Sequence, residues 1–511
     1  MTSENKKLII IGAGVSGLSA GIYARRAGYD THIYEMHTVP GGECTGWDRK
    51  GYHIDGCIHW MTGTSKQSPL YKVWCDVGAL GEDVRIFETE SFGAMETDNG
   101  IIRLYKNRDQ LESYLKDLAP EDEKELTKFF ETIGEMSDFI PPDAMDILGP
   151  IESLKILKQA MGGMKTMKKL KMPMNEYLKR FKNENLRALF SLMLPADQSA
   201  FVLFFTLSTV MSGNGGRPEG GSRAMALRMT EKFETLGGVL HLGSRVEEIC
   251  VENGIATGIR ISSDRAGAAG DFITADHVLS STDVHVTLNR FLKGRYPQKA
   301  FDMRDADPKT YPCQSCSIAA FGLDLDLSDM DEELIIGTRP FLFEGKDQKH
   351  LSLKHYAYEP TFAPTGHSVL TVYFDGNYDW WKQLASDDES GLDAFHLDSP
   401  RYLAEKERLL RELIAVLEEK YPEWKGHIVP LDFATPLTYE RYCGAYRGQW
   451  MSYGYTENAR GMMHNGRIKG IKNFSMCGQW LMPPGGLPVA VMTGRWAIQR
   501  ICKADKKNWR F

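Results

Sequence analysis

Three glycines near the start of the chain have the spacing of a phosphate-binding turn. Gly12, Gly14 and Gly17 fit the pattern G-x-G-x-x-G and follow an apolar run over residues 8–11. Such a run is typical of a strand buried on both faces. The first glycine permits a tight turn, the second lets the backbone approach a pyrophosphate, and the third lets the next helix pack closely on the strand. The N–H groups at the start of that helix would face the phosphates.

An acidic residue stands where a dinucleotide site needs one. Residues 30–34 (DTHIY) read as a second strand, and Glu35 follows it, 23 positions after Gly12. A carboxylate there accepts hydrogen bonds from ribose hydroxyls and repels a 2′-phosphate, so the pattern disfavours NADP. The agreement of strand, turn, helix, strand and acid argues against a purely structural glycine-rich turn. The motif by itself leaves NAD and FAD open.

Two further segments favour FAD. After Glu35 the chain runs through a glycine-dense loop, residues 36–60, where a simple NAD dehydrogenase would continue into a helix. Near the C-terminus, residues 473–480 read as a short strand ending in a turn, and the glycine- and proline-rich segment 481–488 then begins a long helix. Such a helix start leaves N–H groups free to face a flavin pyrimidine. Its dipole would stabilise negative charge on the reduced ring.

These segments resemble a known family. GAGVSGLSAG, PGGECTGWDRKGYHIDGCIHW and CGQWLMPPGGLPVAVMTGRWA, in that order, are similar to segments of the phytoene desaturase, carotenoid isomerase and retinol saturase group. That group belongs to the larger amine-oxidase-like flavoproteins, and the centre of the chain (residues 218–222, 244–249 and 275–280) also matches it. The resemblance implies an α/β fold: a Rossmann-like FAD-binding domain of the GR2 type with an inserted mixed α+β substrate domain.

The resemblance also implies a set of cofactor contacts along the chain. The glycine turn would hold the pyrophosphate, Glu35 the adenosine ribose, Val246 the adenine, and the last segment would close over the pyrophosphate and the pyrimidine. Many relatives have Arg after the Gly-Gly pair and an acid after the last strand's glycine, whereas this chain has Glu43 and Gln479. The full set is Gly12, Ala13, Gly14, Val15, Ser16, Gly17, Glu35, Gly41, Gly42, Glu43, Cys57, Ile58, His59, Val246, Gly478, Gln479, Gly486, Leu487 and Pro488.

The spacing of the motifs predicts two interleaved domains. Residues 1–80, 215–298 and 440–511 carry the cofactor signals and are assigned to the FAD-binding domain, and residues 81–214 and 299–439 to the substrate domain. The first substrate segment is predicted to be largely helical, because leucines and phenylalanines recur at helical spacing in it. The second is predicted to be mixed. Its apolar runs over residues 315–321 and 369–374 read as strands.

Composition limits the functional classes. The chain has 511 residues, and its 61 Lys and Arg against 68 Asp and Glu give a net charge of -7, which argues against a nucleic-acid binder. Nine cysteines are few and odd in number, so a disulfide framework is not expected. No signal peptide is recognisable, and the longest near-apolar stretch, residues 200–211, is too short to span a bilayer. A cytoplasmic location is the expectation.

Two local patterns have competing interpretations. Cys313 and Cys316 form a lone C-x-x-C, which favours strand packing over redox or zinc chemistry, so no metal is predicted. Residues 155–182 are basic and rich in methionine. A stretch of this kind can lie on an anionic membrane surface, but a solvated helix face with a Met-packed underside is favoured. The oligomeric state stays open.

The leading functional hypothesis is redox chemistry on a carbon–carbon bond of a long apolar substrate of the carotenoid, retinoid or other isoprenoid type. The alternatives are a flavin-assisted double-bond isomerase without net redox, an amine oxidase, and a prenyl-lipid escort protein without flavin. His59-Trp60 and Tyr446-Arg447 are equally suited to substrate contact and to structure. No catalytic base is predicted, because a flavin that takes hydride directly needs none beyond water or the ring itself.

Overall fold

The structure is a computed structural model that describes residues 5–136, 143–193, 198–262, 270–386 and 397–511. Within these residues the strands are β1 Lys7–Ile11, β2 Asp30–Tyr34, β3 Gly46–Arg49, β4 Tyr52–Asp55, β5 Met61–Thr62, β6 Ile86–Phe87, β7 Ser91–Thr97, β8 Gly100–Tyr105, β9 Gly215–Pro218, β10 Val239–His241, β11 Val246–Glu252, β12 Ile255–Ile261, β13 Phe272–Thr274, β14 His277–Ser280, β15 Cys316–Leu323, β16 Glu333–Phe343, β17 Lys346–His355, β18 Ser368–Asp375, β19 Ile428–Ala434 and β20 Phe474–Met476.

The α-helices of the same residues are α1 Val15–Arg26, α2 Pro69–Asp76, α3 Arg108–Leu118, α4 Glu123–Met136, α5 Pro150–Lys169, α6 Met174–Leu178, α7 Glu184–Met193, α8 Ala200–Met211, α9 Gly221–Thr235, α10 Lys299–Asp305, α11 Tyr378–Ala385, α12 Pro400–Lys420, α13 Pro436–Cys443 and α14 Leu487–Ala504. A π-helical turn covers Val286–Phe291.

A parallel sheet of five strands brings the two ends of the chain together. Its order is β10-β2-β1-β14-β20, so the first strand lies beside β14, and β14 beside the last strand. The apolar run Leu8–Ile11 is buried, as a strand covered on both faces requires. Helix α1 packs on the C-terminal helix α14, and the Ser19 hydroxyl donates to the Val491 carbonyl at 2.8 Å. The predicted first strand, second strand and C-terminal helix are all present.

A second, mixed sheet has seven strands in the order β19-β15-β18-β17-β16-β7-β8. Because side chains alternate along a strand, one face of this sheet packs on α11 and α12 through residues such as Leu353 and Val372. The other face presents Ile318, Ser352 and Tyr373 to the cleft described below. The strands predicted at residues 315–321 and 369–374 are β15 and β18 of this sheet.

Helices α3, α4 and α6 to α8 form a separate apolar cluster against β7 and β8. The predicted helical positions Leu111, Leu115, Phe129 and Phe130 are fully buried in it. Helix α8 is the near-apolar stretch of residues 200–211, which is too short to span a bilayer. No helix among the described residues is both long enough and apolar enough to cross a membrane.

Helix α5 covers the first part of the basic, Met-rich stretch. Lys155, Lys158, Lys165, Lys168 and Lys169 are exposed. Ile151, Leu154 and Leu157 are also exposed, whereas the side chains of residues 159–164, Met161 and Met164 among them, lie outside the described part. Contact of this stretch with a membrane surface stays an untested alternative to the favoured solvated helix face.

The fold class expected from the sequence is confirmed, since a Rossmann-like α/β unit is joined to a mixed sheet and helices. Strands of the parallel sheet come from residues 7–34, 239–280 and 474–476, and those of the mixed sheet from 91–105, 316–375 and 428–434. The exact division at residues 80/81, 214/215, 298/299 and 439/440 stays a prediction.

Candidate active site and cofactor cleft

A cleft of about 940 Å³ opens at the carboxyl ends of the parallel strands and continues under the seven-stranded sheet. Most of the predicted cofactor residues line it: Gly12, Gly14, Val15, Ser16, Glu35, Gly41, Gly42, Glu43, Cys57, His59, Val246, Gly478, Gln479, Gly486, Leu487 and Pro488. Ala13, Gly17 and Ile58 lie behind this lining. The glycine turn and the start of α14 therefore share one cavity, as the sequence analysis requires of a single bound cofactor.

The glycine turn leaves room for a ligand at one position and none at another. A Cβ on Gly17 would lie 2.0 Å from the Gly12 carbonyl oxygen, so this glycine lets α1 pack on the turn. A Cβ on Gly14 would have no protein atom nearer than the Gly41 oxygen at 3.9 Å, and it would point into the cleft. Open space beside the N-cap of α1 fits a pyrophosphate, which needs close approach to backbone N–H groups.

Glu35 is held rigidly at the mouth of the turn. Its carboxylate accepts the Ala13 N–H at 2.7 Å and the His37 N–H at 2.9 Å. Burial raises the pKa of Glu35, and these two hydrogen bonds work in the opposite direction. Each carboxylate oxygen keeps a lone pair beyond the bond it accepts, which is what a ribose hydroxyl would need.

The two side chains that depart from the family pattern contact each other. The Gln479 amide nitrogen donates to Glu43 at 3.0 Å and to the Trp450 carbonyl at 3.3 Å, while its oxygen accepts the Gly486 N–H at 3.0 Å. Gln479 thus joins the glycine-dense loop to the start of α14. Burial, and then the nearby charge of Asp283, raise the pKa of Glu43 to about 8, with the bond from Gln479 opposing them.

A carboxylate and a hydroxyl fix the loop that enters the cleft at residues 57–60. Asp55 accepts the Cys57 and Ile58 N–H groups at 3.0 and 3.1 Å. Ser222, in the first turn of α9, donates its hydroxyl to Asp55 at 2.6 Å and also contacts the Ile58 N–H at 2.9 Å. His59 therefore lines the cleft from a backbone tied at two points.

Several lining residues were not predicted from the sequence. Ser281, Thr282 and Asp283 follow β14 and line the cleft, as do Arg245 and Arg290 at the Val246 end. The carboxyl ends of neighbouring parallel strands meet at one edge of a sheet, so the end of β14 was a signal available in the sequence.

Behind Asp283 lies a buried histidine held by two carboxylates. Asp283 and Asp305 contact the two ring nitrogens of His285 at 2.8 and 2.9 Å. Burial lowers the pKa of His285, but these two bonds outweigh it and raise the pKa to about 9. The His285 ring stacks on Tyr446, with ring centroids 4.1 Å apart.

The far half of the cleft is bounded by an apolar wall and a buried ionic cluster. The wall comes from α8 and β7 and includes Val202, Phe205 and Phe92. The ionic cluster lies beside His59. Its members are Arg217, Glu332, Glu333 and Lys354, of which Glu333 lines the cleft.

The two residue pairs with open alternatives lie in different surroundings. His59 and Trp60 both line the cleft. Tyr446 and Arg447 do not: Tyr446 packs on His285, and Arg447 pairs with Asp379 at 2.8 Å.

Of the two cysteines in the C-x-x-C pattern, Cys316 lies in a strand, as expected, and Cys313 lies just before it. Cys316 is buried at the start of β15, and burial raises the pKa of its thiol. Among the described residues, no group of His, Cys, Asp and Glu could hold a metal ion.

Comparisons with known proteins identify relatives of this chain. Residues 10–77 match the family described as NAD(P)-binding Rossmann-like domain. The chain is 25% identical to a lycopene-forming phytoene desaturase of Pseudescherichia vulneris, over 96% of this chain and 98% of that protein. It is 22% identical to an all-trans-retinol 13,14-reductase of Danio rerio, over 94% and 83% of the two chains. It is also 20% identical to a chloroplastic prolycopene isomerase of Daucus carota, over 98% and 80%.

The fold is shared with a solved oxidase. A putrescine oxidase bound to putrescine superposes with a TM-score of 0.59 at 13% identity, over 98% of this chain and 99% of that one. The resemblance to the phytoene desaturase, carotenoid isomerase and retinol saturase group is confirmed, and the chain is an FAD-dependent oxidoreductase.

Proposed function

We propose that this enzyme carries out redox chemistry on a carbon–carbon bond of a long apolar, isoprenoid- or polyene-like substrate. The observation that carries the proposal is the continuity of the cleft, which runs from the glycine turn past His59 to the apolar wall on α8. Two relatives are named for forming lycopene from phytoene and for reducing retinol, and this supports the substrate class.

FAD is proposed to lie along the predicted contacts. The N-terminal turn of α1 would hold the pyrophosphate and Glu35 the adenosine ribose, while the loop at Cys57 and the start of α14 would flank the flavin ring. When bound, the flavin supplies hydride transfer at its N5 atom. The division of the chain into an FAD-binding and a substrate domain is part of the same proposal.

The protein's own residues have three tasks in this proposal. Gln479 fixes the two cofactor-binding segments relative to each other through its bonds to Glu43 and Gly486. Asp55 and Ser222 orient the loop that carries His59. Phe205 and Val202 exclude water from the reacting carbons, since an apolar wall gives water no hydrogen-bonding partner.

Anaerobic mixing of the FAD-loaded protein with C20 to C40 polyenes tests the proposal. Bleaching of the oxidised flavin band, with a product lighter by two hydrogens, is expected for a desaturase. A pre-reduced protein that recovers the band and yields a product heavier by two hydrogens is expected for a saturase. Absence of both with every polyene, in protein that retains FAD, would contradict the proposal.

A matched pair of variants separates the cleft from general effects. Phe205 is 38% exposed and lines the cleft, whereas Phe272 is 42% exposed and lies on β13 away from it. Phe205→Glu should lower kcat/KM at least tenfold, because a charge on the apolar wall opposes an apolar ligand. Phe272→Glu should leave kcat/KM within twofold.

A flavin-assisted double-bond isomerase is the second candidate, supported by the likeness to prolycopene isomerase over nearly the whole chain. Product mass distinguishes the two activities. Isomerisation leaves the substrate mass unchanged and leaves the flavin in its starting redox state after many turnovers.

A further inference from the structure

The face of the seven-stranded sheet that borders the cleft is polar along one strand. Lys346, Gln348, His350 and Ser352 alternate along β17 and all line the cleft. His350 and Ser352 are exposed and Gln348 is half-buried. Within the described part of the chain, the side chains of Gln348, His350 and Ser352 make no hydrogen bond or ion pair with protein. This polar row spans about 13 Å from Ser352 to Gln348 at the usual strand rise.

The row begins beside a carboxylate with one occupied and one open oxygen. Glu333 pairs with Lys354 in the strand ladder, and Ile335 with Ser352. The Oε1 atom of Glu333 accepts a hydrogen bond from the Arg217 guanidinium at 3.1 Å and forms an ion pair with the Lys354 ammonium at 3.1 Å. Among the described residues no donor reaches its Oε2 atom, although Glu333 borders the cleft and its side chain is 21% exposed.

The charge of Glu333 is secured by its surroundings. Burial opposes ionisation, but the ammonium of Lys354, with His59 and Arg217, holds the pKa of Glu333 well below its usual range. Glu333 is therefore an anion with a free acceptor atom at the cleft wall. A hydrocarbon lying against Glu333 would displace the water that hydrates Oε2 and would offer no hydrogen bond in its place. Losing that hydration is costly for a charged group.

Another part of the lining is apolar. Val202, Leu203 and Phe205 of α8 line the same cleft, together with Phe92 of β7 and Leu104 of β8. A ligand that satisfies both parts of the lining is amphipathic, with a long apolar body and a polar group that can donate a hydrogen bond. A carboxylate cannot donate and is repelled by Glu333, so an alcohol fits the open Oε2 atom better.

We propose that the substrate of this enzyme is an apolar chain bearing a hydroxyl group, which donates to Oε2 of Glu333 and accepts from Ser352 or His350. This inference rests on the proposed function for the apolar body, and adds the hydroxyl group and its subsite. It also distinguishes this cleft from one built for a pure hydrocarbon.

A ligand series tests the hydroxyl without altering the protein. Geranylgeraniol, its methyl ether, the corresponding C20 hydrocarbon and geranylgeranoic acid are titrated in cyclodextrin into the oxidised, FAD-loaded protein, and binding is followed by perturbation of the flavin spectrum. The alcohol should bind at least fivefold more tightly than each of the other three, the factor expected of one hydrogen bond. Equal affinity for alcohol, ether and hydrocarbon, or a preference for the acid, would overturn the proposal.

Variants on the two faces of β17 locate the effect. Ser352→Val with His350→Leu removes the donors to the ligand hydroxyl and keeps its acceptor Glu333, so it should lower the alcohol-to-hydrocarbon ratio at least twofold while hydrocarbon affinity stays the same or rises. Asp347→Val with Lys349→Leu changes exposed residues of the same strand that do not line the cleft, and should preserve the ratio. Retention of the ratio in the first double variant would overturn the subsite.

Failure of this inference and failure of the proposed function give different results. Selective binding of the alcohol without any turnover would support the hydroxyl subsite and contradict the proposed redox activity. Turnover of hydrocarbons and alcohols with equal affinity would support the activity and contradict the subsite.

Discussion

The side-chain amide of Gln479 donates to the carboxylate of Glu43 at 3.0 Å, across the gap between the last strand and the N-terminal loop. The Gln479 side-chain oxygen also accepts the Gly486 N–H at 3.0 Å. One side chain therefore joins the glycine-dense N-terminal loop to the start of α14.

This pairing predicts a compensating double variant. Gln479→Glu alone puts two carboxyl groups in contact beside Asp283 and removes the donor to Trp450, so it should cost about 1–3 kcal/mol of stability and weaken FAD binding. Adding Glu43→Arg should restore much of both, because it places opposite charges at the two positions. Thermal unfolding and FAD titration of the two single variants and the double variant give the coupling energy. Simple additivity of the single effects would contradict the pairing.

The pH dependence of the FAD-free protein should contain a contribution from Glu43. The Glu43 carboxyl group has a pKa of 4.5 in the unfolded chain and of about 8 in the folded protein. Between these two pH values, Glu43 therefore keeps its proton in the folded state and has lost it in the unfolded state. Stability from this group is therefore complete below pH 4.5 and decreases as the pH rises to 8, by at most about 1.4 kcal/mol per pH unit.

Glu43→Gln should remove that slope, because the amide does not titrate. Urea unfolding of wild-type and variant apoprotein at pH 5, 6.5 and 8 measures it, and the gap in stability should change steadily across the series. Parallel stability curves for the two proteins would show that the carboxyl group does not titrate in this range.

Alanine substitutions at two glycines of the same turn should affect different properties, one the stability of the apoprotein and the other its affinity for FAD. Gly17→Ala places a Cβ 2.0 Å from the Gly12 oxygen and should destabilise the apoprotein by about 3 kcal/mol. Gly14 has φ of -69° and ψ of 176°, which any residue adopts, and its Cβ would enter open space. Gly14→Ala should change apoprotein stability by less than about 1 kcal/mol and lower FAD affinity tenfold or more, about 1.4 kcal/mol.

Chemical unfolding of the apoprotein and flavin titration measure the two effects separately. A Gly14→Ala protein that binds FAD like the wild type would show that the pyrophosphate does not approach at this residue.

Removing the charge of Arg217 from the buried ionic cluster should lower the stability of the protein. Arg217 has a side chain only 4% exposed and pairs with both Glu332 and Glu333. Arg217→Met leaves two partly buried carboxylates without this partner and should cost about 3–5 kcal/mol. Arg223 pairs with Asp48 but is 38% exposed, so Arg223→Met serves as the control and should cost less than about 1 kcal/mol. Equal losses in the two variants would contradict the assigned difference in burial.

The sequence by itself determined the local elements and the cofactor. The glycine spacing after an apolar run predicts the turn and α1, the segment that ends at Glu35 predicts β2, and the glycine- and proline-rich segment predicts the start of α14. All three predictions of secondary structure are correct, because short-range backbone geometry decides each of them. The meeting of the glycine turn with the start of α14 at one cleft was also implied, because one dinucleotide has to reach both segments.

Only the tertiary structure decided the chemistry of the cleft's far half. Glu333, Ser352 and His350 lie in strands with no motif, and their importance comes from which face of the seven-stranded sheet borders the cleft. The Gln479–Glu43 contact likewise joins residues 436 positions apart. Register and sheet order depend on packing between distant segments, and the residue spacing within one segment does not encode them.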